Sequence, residues 1–345
     1  MDGVDISAEL GLFRAKLDVA AVIGAVTDAD GLVALDVVGT KSRTDDEPAT
    51  VDHQWHIGSC GKSITALLYA RLVEAGKAEW GVPIGDLFDD IATVDGGWAK
   101  PTIDDLLRCR AGVAPNPNDF WALHRSTDPI MEQRTSSAAE VLSGAPNNPG
   151  EFVYSNLGYC LVGAAIDRLA GMSYEDALFE YVFNPLSISS VGFGAPPDVR
   201  GHHPRLRLGP LMVGRGKPAI PSVDLPADNP PLLNPAGRMH LSISDWATFQ
   251  RVFLNDGAPL LKSQTLAHLL SDPGNDEEMV MGWGVNKSVG ASFGMQGSNT
   301  MWGATAIMDL DSRKTALTIT NDGRVSVVSA TAQLASRLLD QARSA

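Results

Sequence analysis

Strand-like runs toward both ends of the sequence, helical patterns between them and a helix at each terminus predict a mixed α/β fold. One antiparallel sheet would be built from distant parts of the chain, flanked by the N- and C-terminal helices, with a mainly helical region inserted. At 345 residues, 44% of them hydrophobic, the chain holds enough apolar material for a large core. Residues 1–80 and 235–345 are expected to form the sheet domain. Residues 81–234 are expected to form the inserted region, including a proline-rich loop over 192–237.

The elements follow in order. Ile6, Leu10, Phe13 and Leu17 recur at helical spacing and predict a first helix over Ile6–Leu17. Ala20–Val26 and Leu32–Val38 are apolar, β-branched runs around Asp28-Ala29-Asp30-Gly31, a hairpin signal. Ile64, Leu68, Leu72 and Val73 mark a helix that Gly76 stops. Trp80 to Pro101 reads as loop, broken by Gly81, Pro83, Gly85, Gly96 and Gly97. Thr102 then N-caps a short helix, with Asp105 in the capping-box position. Ala138–Leu142 and Leu157–Leu169 read as helices.

Ten prolines between Gly192 and Gly237 predict an extended, irregular loop. Within it, Arg200, Arg205, Arg207, Arg215 and Lys217 stand with no acidic residue from Arg200 to Ser222. They form either a solvated face or a local attraction for anionic substrate. Helices are expected over Trp246–Leu254 and Leu260–Leu270, and strands over Met279–Val285, Ala291–Gln296, Ala304–Leu310 and Thr315–Thr320. Val327, Ala330, Leu334 and Leu338 place a last helix over Val325–Ala342. No internal repeat stands out.

Composition narrows the function. A net charge of −14 argues against nucleic acid as the main partner. Met1 to Asp18 carries Asp2, Asp5 and Glu9 and no apolar run, so neither a signal peptide nor a membrane span is expected. Cys60, Cys109 and Cys160 lack paired metal spacing, and their odd number offers no disulfide framework. The expectation is a reduced, cytoplasmic enzyme that needs no metal and no organic cofactor.

The chemistry centres on His56-Ile57-Gly58-Ser59-Cys60-Gly61-Lys62-Ser63. Ser59 and Lys62 are three apart where a helix begins, so they share one face. A lysine beside a serine hydroxyl helps remove its proton, which a weak nucleophile requires. Main-chain N–H groups of a first turn lack helical partners, so the Ser59 N–H can face a developing oxyanion. Two readings compete. Gly61-Lys62-Ser63 ends like a phosphate-binding loop, but that pattern requires glycine where His56 stands. Cys60 is an alternative nucleophile, yet it points away from the Ser59–Lys62 face.

With these residues in order, the chain resembles the serine β-lactamase and penicillin-binding-protein superfamily, from about Asp18 to the C-terminus. Within it the chain is most similar to class C β-lactamases and family VIII carboxylesterases. The resemblance implies a β-lactamase/transpeptidase-like fold. Gly58-Ser59-Cys60-Gly61-Lys62 matches the nucleophile segment. Thr102 to Val113 is similar to the segment often reading "LLtHtSG", with Cys109 and Ala111 replacing its histidine and serine. Pro149-Gly150-Glu151-Phe152-Val153-Tyr154-Ser155-Asn156 matches the Y-x-N element and its preceding turn.

The resemblance makes Tyr154 the group that takes the Ser59 proton and returns it to the leaving group. A neighbouring ammonium favours phenolate over phenol, whose ordinary pKa is about 10. It makes Asn156 a partner for Lys62 and for the substrate's acyl side. Gly294 to Gly303 matches the K-T-G or H-x-G strand. Gly297 is kept and the Ser298 N–H supplies the second oxyanion donor, but Met295 and Gln296 replace the lysine or histidine and the threonine. Arg238 replaces the second glycine of a segment set near the pocket, and either binds a substrate carboxylate or points to solvent.

The leading expectation is a serine hydrolase acting through an acyl-enzyme on a small ester or amide. The alternatives are a D-amino-acid peptidase or amidase, a weak β-lactamase, and a non-catalytic binding homologue. The oligomeric state is left open.

Overall fold

Asp28 closes the first hairpin as the sequence predicts, its Oδ1 accepting from the N–H groups of Asp30 and Gly31. The hairpin joins β1 (Ala21–Asp28) to β2 (Leu32–Gly39). The computed structural model describes residues 4–208, 211–219, 227–271, 278–285 and 293–344. The remaining strands of the main sheet come from the other end of the chain: β8 (Met279–Val280), β9 (Trp283–Val285), β10 (Phe293–Ser298), β11 (Gly303–Asp309) and β12 (Lys314–Thr320). Together they form a seven-stranded sheet in the order β2-β1-β12-β11-β10-β9-β8, with every pairing antiparallel. β1 pairs directly with β12, Val22 opposite Thr320. The start of the Ala291–Gln296 run lies outside the described residues.

Alternation along the strands splits the core between two faces. Val22, Val26, Ala316 and Ile307 turn outward, against Leu10 and Phe13 of the Ser7–Leu17 helix and Leu334 and Leu338 of the Val325–Ser344 helix. Gly24 lies on this face because a Cβ there would stand 3.0 Å from both Leu10 and Leu338. Ala21, Ile23, Ala306, Leu317 and Ile319 turn inward, onto the larger core shared with the other helices. At its centre runs the Gly61–Glu74 helix, buried at every residue from Gly61 to Ala70, with Lys62, Ser63 and Thr65 its buried polar side chains.

Several expectations need correction. The proline-rich stretch is not irregular throughout, because β5 (His202–Leu208) and β6 (Leu211–Pro218) pair as a hairpin. Its prolines are tolerated because Pro204 follows a register irregularity and Pro218 ends a strand. Pro210, Pro221 and Pro226 lie outside the described residues. Arg215 of this hairpin is paired with Asp18.

The helix expected from Ala138 begins at Ile130, since its buried face includes Gln133 and Arg134, which hydrophobic periodicity does not register. Helical turns over Tyr174–Leu178 and Phe179–Phe183 were not anticipated, nor was a short helix at Ile84–Leu87. A second small sheet sets β7 (Met239–Ser242) between β3 (Gln54–His56) and β4 (Gly192–Phe193). Among the described residues no helix is long and apolar enough to cross a membrane.

Candidate active site

The nucleophile turn is shaped by β3, which pairs with β7 and ends at His56. The Ile57 N–H continues that ladder to the Met239 carbonyl at 3.1 Å. Gly58 then takes φ +53°, and a Cβ there would stand 2.5 Å from the Ser298 nitrogen, so only glycine lets β10 approach this closely. One 3₁₀ turn over Gly58–Cys60 leads into the Gly61–Glu74 helix. Ser59 therefore stands at the helix mouth, where its N–H has no helical partner.

Lys62 is fully buried, and its ammonium has an acceptor for each of its three protons. It donates to Ser59 Oγ at 3.2 Å, Asn156 Oδ1 at 2.7 Å and the Ala236 carbonyl at 2.5 Å. Its nitrogen also sits 4.9 Å from the Tyr154 ring centroid and 5.2 Å from that of Tyr159. The structure thus brings Ser59, Lys62, Tyr154 and Asn156 together. In this state Lys62, not the Tyr154 hydroxyl, holds Ser59 Oγ. Cys60 is turned into the core, its Sγ donating to the Met295 carbonyl at 3.4 Å. Burial pushes its thiol up to about 12, so no thiolate is at hand to act as nucleophile.

The Tyr154 segment is held from behind by the turn after the capped Thr102 helix. Both halves of the expected capping box are present. Cys109 follows in a left-handed conformation at φ +60°, its carbonyl accepting from the Val153 N–H at 2.9 Å. Ser155 caps the Asn156–Ala170 helix by accepting from the Gly158 N–H, and this places Asn156 at the first position. The Asn156 amide donates to Asn116 Oδ1 at 2.8 Å, a partner that sequence reasoning missed.

On the other side, β10 lies edge-on to the nucleophile turn. A Cβ on Gly297 would come within 2.7 Å of the Ser59 nitrogen and 3.0 Å of the Cys60 nitrogen. That closeness sets the Ser298 main chain beside Ser59, where two N–H donors can converge on one oxygen. Met295 faces inward and is buried. Gln296 is a correction. Side chains alternate along β10, so its amide turns outward and donates to the Val328 carbonyl of the C-terminal helix at 2.8 Å. It does not stand where a pocket threonine would.

Arg238 is neither in open solvent nor free. It donates to Asn234 Oδ1 at 2.6 Å, and its Nε lies 3.6 Å from Asp228 Oδ2. Burial dominates its environment and holds its pKa below the usual guanidinium range. Asp228 was not singled out from the sequence. It is buried against His56, the same residue that breaks the phosphate-loop pattern. A histidine inside the nucleophile motif was the one available signal.

Known proteins place these observations. The chain is 28% identical over 210 residues, 60% of its length, to "Penicillin-binding protein 4" of Amycolatopsis lactamdurans. It is 23% identical over 212 residues to "Unguisins hydrolase ungD" of Aspergillus violaceofuscus. These matches cover 52% and 36% of those proteins, so the chain spans about half or less of the relatives' length. In three dimensions it is similar to the D-amino acid amidase of Ochrobactrum anthropi SV3, with a TM-score of 0.79, 19% identity and 98% of each chain covered. A profile of the beta-lactamase family matches residues 11–339. With that match across nearly its whole length, this fold and this serine–lysine pair, the chain belongs to the beta-lactamase family.

Proposed function

We propose that the chain is a serine hydrolase that acts through an acyl-enzyme at Ser59, with a small neutral ester as preferred substrate and an amide as the second choice. The observation that carries this reading is the Lys62 ammonium 3.2 Å from Ser59 Oγ, beside the close approach of Ser298 to the Ser59 turn. Ser59 Oγ adds to the substrate carbonyl and the carbonyl electron pair moves to oxygen. The negative charge is met by the N–H groups of Ser59 and Ser298. The hydroxyl proton passes to the Tyr154 oxygen, with the Lys62 ammonium beside it balancing the charge, and is returned to the leaving oxygen as the carbonyl reforms. Water repeats the sequence on the acyl-enzyme and frees Ser59.

The preference for neutral substrates rests on Met295 and Arg238. In the family pattern Met295 takes the position of a cation or hydroxyl that would receive a carboxylate, and the nearby guanidinium donates to Asn234 and lies against Asp228. Losing one charged hydrogen bond costs about 1.5–3 kcal/mol, roughly tenfold to more than a hundredfold in rate. Short p-nitrophenyl esters should therefore be hydrolysed with a higher kcat/KM than a cephalosporin on the same preparation. A fluorophosphonate probe followed by peptide mass mapping should label Ser59 in the wild type and nothing in Ser59→Ala. Labelling elsewhere, or a clear preference for the cephalosporin, would sink the respective half of the proposal.

A further inference from the structure

The two oxyanion donors belong to separate elements. Ser59 follows β3, which pairs with β7, whereas Ser298 ends β10, which pairs with β9 and β11. Among the described residues no strand ladder joins them. A buried carboxylate links the two. Asp228 Oδ2 lies 3.0 Å from His56 Nε2, and His56 Nδ1 accepts the Gly58 N–H at 3.1 Å. Because Nδ1 accepts, the ring proton sits on Nε2 and is donated to Asp228.

The other carboxylate oxygen, Oδ1, accepts from Asn299 Nδ2 at 2.8 Å and the Asn229 N–H at 2.7 Å. Asn299 Oδ1 accepts the N–H groups of Met301 and Trp302, each at 3.2 Å. The Trp302 carbonyl accepts from Ser298 Oγ at 2.7 Å, and the Trp302 ring stacks on His56 at 5.4 Å. The contacts form a chain from Gly58 through His56, Asp228, Asn299 and Trp302 to Ser298.

Resting on the serine-hydrolase reading, we propose that Asp228 is a positioning residue whose two arms, His56 and Asn299, hold the Ser59 and Ser298 N–H groups at the spacing an oxyanion needs. It touches no substrate. Its carboxylate acts by fixing the His56 tautomer, and so the peptide plane entering Ser59, while fixing the turn that leaves Ser298. Misplacing a catalytic group by about 1 Å can cost on the order of a hundredfold in rate, so the clamp matters even though it is remote from the reacting atoms. Burial alone would raise the Asp228 carboxyl, but His56, Arg238 and Asn299 outweigh it and hold it below the usual range, so the clamp stays anionic near neutrality.

The test is Asp228→Asn, which keeps the shape. Its NH₂ must face either the His56 Nε2–H or the N–H donors of Asn229 and Asn299. In the first placement the His56 proton is driven to Nδ1, against the Gly58 N–H. With a short p-nitrophenyl ester, kcat should fall about 10–100-fold while KM stays within about threefold. Affinity for an alkyl boronic acid, whose tetrahedral adduct fills the oxyanion site, should fall by about the same factor as kcat. Asn299→Ala, which spares the His56–Asp228 pair, should show the same split at about three- to tenfold, and decides the matter should Asp228→Asn not fold. Unchanged kcat in folded variants, or losses confined to melting temperature or KM, would overturn the assignment and leave the hydrolase reading standing. A wild type whose Ser59 is inert to ester and fluorophosphonate would end both.

Discussion

Lys62 shows what a single side chain must satisfy to work inside a core. Its charge is buried, and an unpaired buried ammonium is costly, yet each of its three protons has an acceptor. Two of those acceptors, Asn156 and Ala236, come from distant parts of the chain and hold the nitrogen against Ser59. Lys62→Ala should therefore lower kcat by about 10²–10⁴. Tyr154→Phe should do the same, although the hydroxyl is a small part of a residue whose ring packs near the ammonium. Neither loss should add to that of Ser59→Ala, because residues acting as a unit share one effect. Cys60→Ala should keep most activity, since the buried thiol is turned into the core, toward the Met295 and Ala304 carbonyls. Steady-state ester hydrolysis on these four variants, and on Lys62→Ala and Tyr154→Phe each combined with Ser59→Ala, decides these points. Near wild-type turnover in Tyr154→Phe would assign the proton transfer to another group.

At the scale of elements, the contact between β10 and the nucleophile turn is set by what is missing. Gly58 and Gly297 leave no Cβ between them, and the strand closes on the helix mouth. Gly297→Ala would bring a methyl within 2.7 Å of the Ser59 nitrogen, so the strand must withdraw. Its kcat should fall about a hundredfold, the scale of a 1 Å misplacement. One residue earlier, Gln296→Ala should change kcat by less than about threefold and cost about 0.5–1.5 kcal/mol, as expected for an outward hydrogen bond to the C-terminal helix. Paired measurements of kcat and melting temperature separate the two faces of the strand. A large kcat loss in Gln296→Ala would return that residue to the pocket.

Across the whole molecule, buried ion networks tie together parts of the chain that lie far apart in sequence. Arg134 is fully buried and bridges Asp167 at 2.7 Å and Glu175 at 2.9 Å, and Glu175 also accepts from Asn234 beside the site. Arg134→Ala strands two carboxylates and should cost about 3–5 kcal/mol in urea unfolding. Asp322 performs a similar task at the chain ends. It accepts from Arg324 and Arg43, whose guanidinium groups also reach the Asp18 carbonyl at the end of the first helix.

Burial would raise the Asp322 carboxyl, but Arg324 and Arg43 outweigh it and hold it below the usual range. A depressed folded pKa stabilises fully above the unfolded value of about 3.9, and the contribution is lost as pH falls through the folded value. Asp322→Asn should therefore be less stable at pH 7 and lose less on acidification to pH 3. Denaturant midpoints at both pH values test this, and parallel losses in both proteins would refute it.

Local patterns in the sequence determined a good part of this protein. Apolar, β-branched runs placed β1, β2, β11 and β12, which are packed between two layers of helices, and period 3.6 placed the terminal helices, each of which buries one face. The capping box at Thr102 was legible because its partners lie three residues apart. Ser59 and Lys62 were legible because one helical turn brings them together. Tyr154 and Asn156 needed the family pattern, since no local rule joins residue 62 to residue 156. The tertiary structure alone decided the rest. The Ile130 helix buries a charged residue, so its pattern looked polar until Asp167 and Glu175 were seen beside Arg134. The proline-rich hairpin required a register irregularity that composition does not announce. The direction of Gln296 and the His56–Asp228 pair depend on residues brought together across 32 and 172 positions. Such contacts form only once the backbone has folded, because side chains that distant meet through packing rather than through local geometry.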